Sequence, residues 1–384
     1  MNAIDFIIKT AQTGLSLQTK NGSMPCGNNG PYLEKETSVR NTSHWLIIFS
    51  KVYELTGDEN FKYAIKRAAE FLISDQSRPS NASFWHRDQP GVDKSNGIIG
   101  AAWSIEALCE ASITLKENKY AKVAEEVFFM HKFNNTLGVW NRLEIDGKIG
   151  RIDQTFNHQL WFAACSSLLL NNNFSNRANV EKRIKIFMSK ITQNLFTYEN
   201  GLIHHSIIRK IDLRSILSET ATKIKEVIEV LFLNSKLKEN KLQTQIDIYW
   251  KSIGYQSFNL YGFALLKSNI QEHELWNSNL IKQSTEFIMS SEFFKLLDIE
   301  NYYGFPYNPP GFEIPFYLNS LSDLTQKEII KLSEFWINEQ INRHYGFKDE
   351  VISINNKDKN TLTARIYELC RINNSILENI ELKK

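Results

Sequence analysis

The chain of 384 residues has 45 lysines and arginines and 43 aspartates and glutamates, a net charge of +2, which gives no electrostatic reason to expect binding to nucleic acid. No run of about 18 apolar residues predicts a membrane span. The four cysteines are scattered and form no CxxC pair, which argues against a zinc knuckle and indicates a reducing, cytoplasmic location.

Amphipathic helices dominate the chain from its beginning. Two helices over residues 42–55 and 60–74 are separated only by Thr56-Gly57-Asp58, in which the glycine ends one helix and the aspartate caps the next. An earlier helix is predicted over residues 3–13 and a last one over 359–378. Further helix pairs are predicted to begin near residues 96 and 119, 153 and 178, 254 and 273, and 310 and 326.

The paired helices are of two alternating types. The first of a pair, such as Gly97–Ala111, is apolar nearly all round, whereas the second, such as Lys119–His131, carries a charged face. A helix of the first type is buried and one of the second type lies outside. Pairing the first and last helices gives about twelve helices in six hairpins. The sequence therefore predicts an all-α fold, an (α/α)6 barrel, as a single domain over residues 1–384.

One segment does not follow this alternation of inner and outer helices. Residues 195–250 contain a charged stretch with apolar residues from Ile224 to Phe232 on one helical stripe. The segment is predicted to be an inserted helix that serves as a lid, as a contact in a homo-oligomer, or as surface structure without a function of its own.

The loops that precede the inner helices are rich in glycine, proline and aromatic residues, and a barrel gathers them at one end, where they form a mouth suited to a sugar. These loops are Asn21–Tyr32, Phe84–Gly97, Gly138–Asp153 and Tyr302–Gly311. Asp153 precedes an inner helix, where aspartate commonly acts as a cap. Because Asn157, His158 and Trp161 follow it closely, a catalytic or substrate-binding role stands beside the capping role.

The segment Ile152–Ala163, which reads I-D-Q-T-F-N-H-Q-L-W-F-A, resembles the I-D-G-L-M-N-x-x-L-L-F-W-A segment of the unsaturated glucuronyl and rhamnogalacturonyl hydrolases. Glycosidase-like proteins of surface-glycan gene clusters are similar too. The resemblance to this six-hairpin superfamily implies an (α/α)6 barrel, Asp153 as general acid/base and Asn157 as a supporting residue. The H-D-x-G-F segment of these hydrolases is absent, and residues 96–100, N-G-I-I-G, stand in its place.

An ordinary glycosidase needs a second carboxylate, for which Glu313, Asp93 and Asp88 are candidates. Arg40 and Arg365 match the geometry of a substrate carboxylate. The other candidates for substrate binding share a place near the same barrel end: they are His44, Trp45, Trp85, His86, Asp88, Asn96, Trp103, Asn157 and Trp161.

The leading prediction is a glycoside hydrolase that acts on a uronic-acid-containing or surface-polysaccharide glycan, with Asp153 as general acid/base. One alternative is a polysaccharide lyase or sugar epimerase, in which His158, His44 or Tyr302 takes a proton. Another is an inactive glycan-binding or assembly protein. No HExxH, Walker, GxGxxG or GxSxG motif occurs, so neither a metal nor a cofactor is expected.

Overall fold

The computed structural model describes residues 1–171, 176–207, 246–298 and 301–383. Its longer helices are α1 (Ala3–Leu17), α2 (Val39–Thr56), α3 (Glu59–Ile73), α4 (Ile99–Leu115), α5 (Asn118–Met130), α6 (Phe156–Ser167), α7 (Arg177–Asn194), α8 (Gln256–Asn269), α9 (Asn279–Ile288), α10 (Ser291–Asp298), α11 (Pro310–Leu321) and α12 (Gln326–His344). Two shorter helices follow, α13 (Lys359–Ala364), which continues as a 3-10 helix over Arg365–Arg371, and α14 (Asn374–Leu377).

Six inner helices close a ring. In order around the ring, α2 packs against α4, α4 against α6, α6 against α8, and α8 against α11. The 3-10 continuation of α13 then packs against both α11 and α2. The outer layer contains α1, α3, α5, α7, α9 with α10, and α12, each beside an inner helix. The predicted (α/α)6 barrel is confirmed.

The two layers differ in side-chain burial as the sequence predicted. Nearly every residue of α4 from Ile99 to Ser112 is buried, whereas α5 buries one stripe that includes Tyr120, Ala124 and Val127. Burying such a stripe contributes about 1.5–3 kcal/mol per large apolar side chain. The stripe therefore fixes each outer helix onto the ring.

The helical hairpin α2–α3 shows how local sequence sets a boundary. Gly57 ends α2 with a φ of +67°, a conformation that costs a glycine little. The carboxylate of Asp58 accepts a hydrogen bond from the backbone N–H of Asn60 at 2.9 Å, so it caps α3. The turn predicted from Thr56-Gly57-Asp58 is confirmed.

Short strands that the sequence did not predict lie among the loops. β1 (Asn28–Asn29) pairs with β2 (Glu34–Lys35), and β6 (Tyr345–Gly346) with β7 (Val351–Ile352). The longest sheet is antiparallel and has the order β3 (Phe133–Asn134), β4 (Val139–Leu143) and β5 (Ile149–Ile152). β5 ends directly before Asp153 and so holds that residue in the short loop before α6.

Most of the predicted insertion over residues 195–250 lies outside the described residues, including the stripe from Ile224 to Phe232. Of its described ends, residues 197 and 203 form an isolated bridge, and residues 246–254 are helical and lead into α8. The predictions of a lid, of an oligomer contact and of one domain over the whole chain stay predictions. Among the described residues, no helix combines the length and apolarity needed to cross a lipid bilayer.

Candidate active site

A cavity of about 170 Å³ lies at the barrel end where the inner helices begin. Every inner helix, or the loop that leads into it, contributes at least one lining side chain. One lining residue from each, in ring order, is Arg40, Trp103, His158, Tyr255, Tyr307 and Arg365. Loops predicted to gather at one end thus meet here, because all six inner helices run in the same direction through the ring.

Asp153 and His158 form a hydrogen-bonded pair at the wall of this cavity. The Asp153 side chain is fully buried, and its Oδ2 lies 2.8 Å from Nδ1 of His158. The same oxygen accepts a hydrogen bond from the backbone N–H of Ile98 at 3.1 Å, and Oδ1 accepts one from the backbone N–H of Thr155 at 3.1 Å. Nε of Arg142 is 3.4 Å from Oδ2.

These contacts decide which partner carries the proton. Burial alone would raise the pKa of Asp153, but the His158 ring, Arg142 and the Thr155 N–H together hold it well below its usual range. The carboxylate is therefore ionised at neutral pH, and Nδ1 of His158 donates to it. In a neutral imidazole that donates from Nδ1, Nε2 is the nitrogen that can accept a proton. His158 lines the cavity, whereas Asp153 lies behind it.

The loop before α4 packs against Asp153 and His158. Asn96 and Gly97 both have a positive φ, of 58° and 60°, and this turn aims the Ile98 N–H at Asp153. A Cβ atom on Gly97 would lie inside van der Waals distance of the Asp153 carboxylate and the His158 ring. Asp93 accepts a hydrogen bond from the Gly97 N–H at 2.7 Å. The residues found in place of the H-D-x-G-F segment thus enclose the pair from the other side.

Two lining arginines are neutralised by carboxylates behind the cavity wall. Arg40 pairs with the buried Glu36 at 3.3 Å, and its guanidinium lies 4.3 Å from the centre of the Trp103 ring. Arg365 contacts Glu313 and donates from Nε to Glu368 at 2.9 Å. Their charges are therefore already compensated without a ligand.

The two carboxylates that contact Arg365, those of Glu313 and Glu368, are both buried. Burial raises the pKa of Glu313 to about 7, although Arg365 and the Ser257 hydroxyl oppose that shift. Burial also raises the pKa of Glu368 well above its usual value. Because one guanidinium faces two buried carboxylates, we expect the pair of glutamates to retain a proton near neutral pH.

Lys251 differs from the arginines. Its ammonium lies 4.9 Å from the centre of the Tyr32 ring, 5.7 Å from that of Tyr303 and 6.0 Å from that of Tyr255. In the described parts of the chain, no carboxylate lies within 4 Å of it. Burial lowers the pKa of Lys251 to about 8, against the opposing charge of Glu34. An anionic ligand would therefore find here a cation without an ion-pair partner among the described residues.

Asn157 offers polar atoms to a ligand. Its side chain is only 1% exposed and lines the cavity. Neither of its amide atoms has a hydrogen-bond partner among the described residues. A buried amide without partners costs free energy unless water or a ligand satisfies it, so these atoms are placed to bind a polar ligand.

The structure brings only part of the predicted site together. The predicted residues that line the cavity are Arg40, Asn96, Trp103, Asn157, His158 and Arg365. The predicted residues that do not line it are Asp153, Glu313, Asp93, His44, Trp45, Trp85, His86, Asp88 and Trp161. Tyr302 does not line it either and is 66% exposed.

Four of the residues outside the lining belong to the core. Trp45 is buried beside Phe49, and the Trp161 N–H donates to the Phe258 carbonyl at 3.0 Å. His44 stacks on Tyr367 with the ring centres 4.2 Å apart. His86 lies 3.3 Å from the Ser104 hydroxyl, and burial lowers its pKa to about 3. These four side chains thus lie in the core and not at the cavity wall.

Three others hold loops. Asp88 is exposed and pairs with Lys35 at 3.1 Å. Asp93 pairs with Arg87 and lies 3.7 Å from Arg142. Trp85 donates its ring N–H to the Arg87 carbonyl at 2.9 Å. None of the three lines the cavity, although Asp93 and Trp85 both contact Arg87, which does.

Many of the side chains that line the cavity were not predicted from the sequence. The lining residues that it did not propose include Asn29, Tyr32, Glu34, Arg87, His205, Lys251, Tyr255, Tyr307 and Asn308. His205 lies within the predicted insertion over residues 195–250, and Lys251 directly follows that segment. The tyrosines around residues 302–307 were the available signal. Within the described ranges, no three His, Cys, Asp or Glu side chains are placed to hold a metal ion.

The sequence matches no protein-family model. It is 37% identical over 368 residues to archaeal glycosylation protein Q of Haloferax volcanii, and the match covers 96% of both chains. Among solved structures, the fold is similar to a cellobiose 2-epimerase from Bacillus thermoamylovorans, with a TM-score of 0.64, 9% identity and coverage of 96% and 98%.

Two further structures share the fold. A D-mannose isomerase has a TM-score of 0.60 at 12% identity, with 96% of both chains covered. An unsaturated glucuronyl hydrolase specific for heparin has a TM-score of 0.56 at 12% identity, with 96% of both chains covered. The resemblance to the six-hairpin superfamily is confirmed at the level of the fold, which in these neighbours supports both epimerases and hydrolases.

Proposed function

The chain belongs to the family of archaeal glycosylation protein Q, and on that premise we propose that it is a carbohydrate-active enzyme of the epimerase or isomerase type. One observation supports this most strongly. The His158 imidazole lines the cavity with Nδ1 held by the buried Asp153 carboxylate. A base held in this way removes a proton from a carbon next to a carbonyl or carboxylate group.

The proposed step begins with the transfer of one proton from carbon. Nε2 of His158 takes the proton from the sugar C–H, and the electron pair of that bond shifts onto the neighbouring carbonyl oxygen, so that an enolate forms. The Asp153 carboxylate stabilises the imidazolium. Return of the proton to the former carbonyl carbon gives an isomer, with a hydroxyl proton passing from the neighbouring oxygen to the former carbonyl oxygen. Return of a proton to the opposite face of the original carbon gives an epimer. His205 also lines the cavity and is a second imidazole beside the site.

Cleavage of a glycosidic bond is the second candidate, supported by the similarity of Ile152–Ala163 to hydrolase sequences. The geometry favours it less, because two-carboxylate hydrolysis requires both groups at the sugar. Of the described residues that line the cavity, only Glu34 has a carboxylate, and Arg87 pairs with it at 2.9 Å. Asp153, Glu313 and Asp93 all lie behind the lining.

We propose an acidic sugar as the substrate. The support comes from Lys251, which contacts tyrosine rings and no described carboxylate, and from Asn157, whose amide atoms are unpartnered. A substrate carboxylate at Lys251 would supply the missing counter-charge, and sugar hydroxyls would satisfy the amide.

Proton exchange with solvent tests the proposed function. The protein is incubated in D₂O with glucuronic acid, mannose and glucose, and proton NMR follows the signals of the carbons next to the carbonyl or carboxylate. We expect deuterium at one such carbon. His158→Gln and Asp153→Asn should slow the exchange by about 10²-fold or more, whereas His204→Gln, beside the site but outside its lining, should leave the rate unchanged.

Two outcomes contradict the proposal. Release of new reducing ends from an acidic oligosaccharide, lost in Asp153→Asn and without deuterium at carbon, would support the hydrolase candidate. Binding of a sugar without exchange or cleavage would support a glycan-binding protein.

A further inference from the structure

A second cavity of about 450 Å³ adjoins the first. The two share Tyr307, which lines both of them. The Tyr307 hydroxyl donates to Oδ1 of Asn29 at 3.0 Å, and Gly30 approaches its ring so closely that a Cβ there would clash. The partition between the two cavities is therefore a fixed aromatic ring rather than a loosely held side chain.

The second cavity has two chemically different sides. Tyr302, Tyr303 and Pro306 supply flat apolar faces, and Tyr302 is 66% exposed although it is large and aromatic. Asn356 and Lys357 supply polar groups on the other side. Oδ1 of Asn356 is buried and has no hydrogen-bond partner among the described residues. A pyranose ring, with apolar C–H faces and a polar edge, matches both sides.

The size of the first cavity makes a second one necessary for a longer ligand. Its volume of about 170 Å³ is below the roughly 300–1,000 Å³ of sites that enclose drug-sized molecules. It is suited to a single sugar ring. A glycan whose terminal ring is bound there must continue outward, and the second cavity, which shares Tyr307 with the first, is a neighbouring space for its next residue.

We propose that the second cavity is a subsite for a further sugar residue of an oligosaccharide whose terminal residue occupies the first cavity. The inference rests on the proposed function in one respect, that the first cavity binds a sugar. It adds that the natural ligand is an oligosaccharide. Tyr302 stacks on the second sugar residue, and Asn356 and Lys357 bind its hydroxyl groups.

The test is a binding experiment that does not depend on turnover. Mono-, di- and trisaccharides of glucuronic acid and of mannose are immobilised as an array, and binding of the purified full chain is measured. We expect binding to increase from mono- to disaccharide in at least one series. Tyr302→Ala and Lys357→Ala should each reduce disaccharide binding roughly three- to tenfold and leave monosaccharide binding unchanged.

Tyr63→Ala is the matched control, because Tyr63 is 64% exposed and lies on the outer helix α3. It should bind both lengths as the unaltered chain does. Equal binding of mono- and disaccharides by the unaltered chain would overturn the proposal, as would a length dependence that survives in both variants. Loss of exchange chemistry with length-dependent binding intact would refute the proposed function and leave the subsite standing.

Discussion

At the residue scale, four cationic side chains line the first cavity and differ in how their charge is compensated. Arg40, Arg87 and Arg365 each contact at least one carboxylate, whereas Lys251 contacts tyrosine rings. An entering anion gains most at the cation that contacts no described carboxylate, because no ion pair among the described residues must be broken there. Selectivity for acidic sugars should therefore depend on Lys251 more than on the arginines proposed from sequence.

Replacing Lys251 tests this selectivity. Lys251→Met should weaken binding of glucuronic acid by about 10- to 100-fold, the range of a charged hydrogen bond, and leave glucose unaffected. Since the pKa of Lys251 is lowered to about 8, affinity for the acid should fall as the pH rises from 7 to 9. Lys251→Arg should bind with little change over that range, because arginine stays protonated. Calorimetric titrations at three pH values provide the measurement.

A uniform loss of affinity for glucose and glucuronic acid in Lys251→Met would contradict this assignment. So would a pH dependence that persists in Lys251→Arg, because the titrating group would then be another side chain.

Glu313 makes a pH-dependent contribution to stability. Its pKa rises from 4.5 to about 7 on folding, so the folded state binds more protons between those values. The contribution of Glu313 to the free energy of unfolding is therefore present in full below pH 4.5 and is lost as the pH rises through 7. Glutamine resembles the protonated form of Glu313. The free energy of unfolding of Glu313→Gln, relative to that of the unaltered chain, should therefore increase from pH 5 to pH 8 by on the order of 2–3 kcal/mol.

Urea unfolding at both pH values measures this change, and Glu199→Gln at an exposed position provides the control. A difference in free energy of unfolding that is the same at pH 5 and pH 8 would show that Glu313 is ionised throughout.

At the element scale, the loop before α4 and the start of α6 act together. The N–H of Ile98 reaches Asp153 only because Asn96 and Gly97 adopt positive φ values. Gly97 is moreover packed against the Asp153 and His158 side chains. A change in this loop should therefore alter the base on the neighbouring helix.

Gly97→Ala should both destabilise the fold and impair proton exchange. A non-glycine residue at positive φ costs about 1 kcal/mol or more, and the clash with the carboxylate adds about 1–3 kcal/mol. Gly91→Ala is the matched control, since Gly91 also has a positive φ, of 85°, but a Cβ added there would meet no atom within 4 Å. Chemical unfolding and the exchange rate are measured on both. Equal losses in the two variants would mean that only backbone strain matters.

The strands show why some elements escaped prediction. β5 alternates between exposed and half-buried residues, so it lacks the apolar alternation that marks a strand. It forms because β4, with Val139, Trp140 and Leu143 buried, provides a partner. Its effect on the site is large, because it moves the start of α6 from the expected residue 153 to Phe156 and leaves Asp153 in the preceding loop.

At the scale of the whole molecule, the ring could be predicted because the distribution of apolar residues around each helix shows whether the helix is buried or lies outside. The site could not be predicted, because a side chain lines the cavity only if the rotation of its helix and its position along that helix both bring it there. Trp45 comes five residues after Arg40, about 140° around the helix, so it faces the outer layer. Trp161 lies on the same side as Asn157 but one turn deeper, where it stacks on Tyr261 at 5.3 Å.

The six-helix cavity separates two tasks along the chain. The proton-transfer pair and the loop that encloses it come from residues 93–158, whereas Lys251, Tyr255 and Tyr307 come from residues 246–308. In the proposed function, the proton-transfer pair and the cation that selects an acidic sugar thus come from different stretches of sequence, although Asn157 binds the sugar from within the first stretch. Exchanging the second stretch between relatives should change which sugar is accepted while the reaction is inherited intact, which makes this barrel a modular starting point for directed changes of specificity.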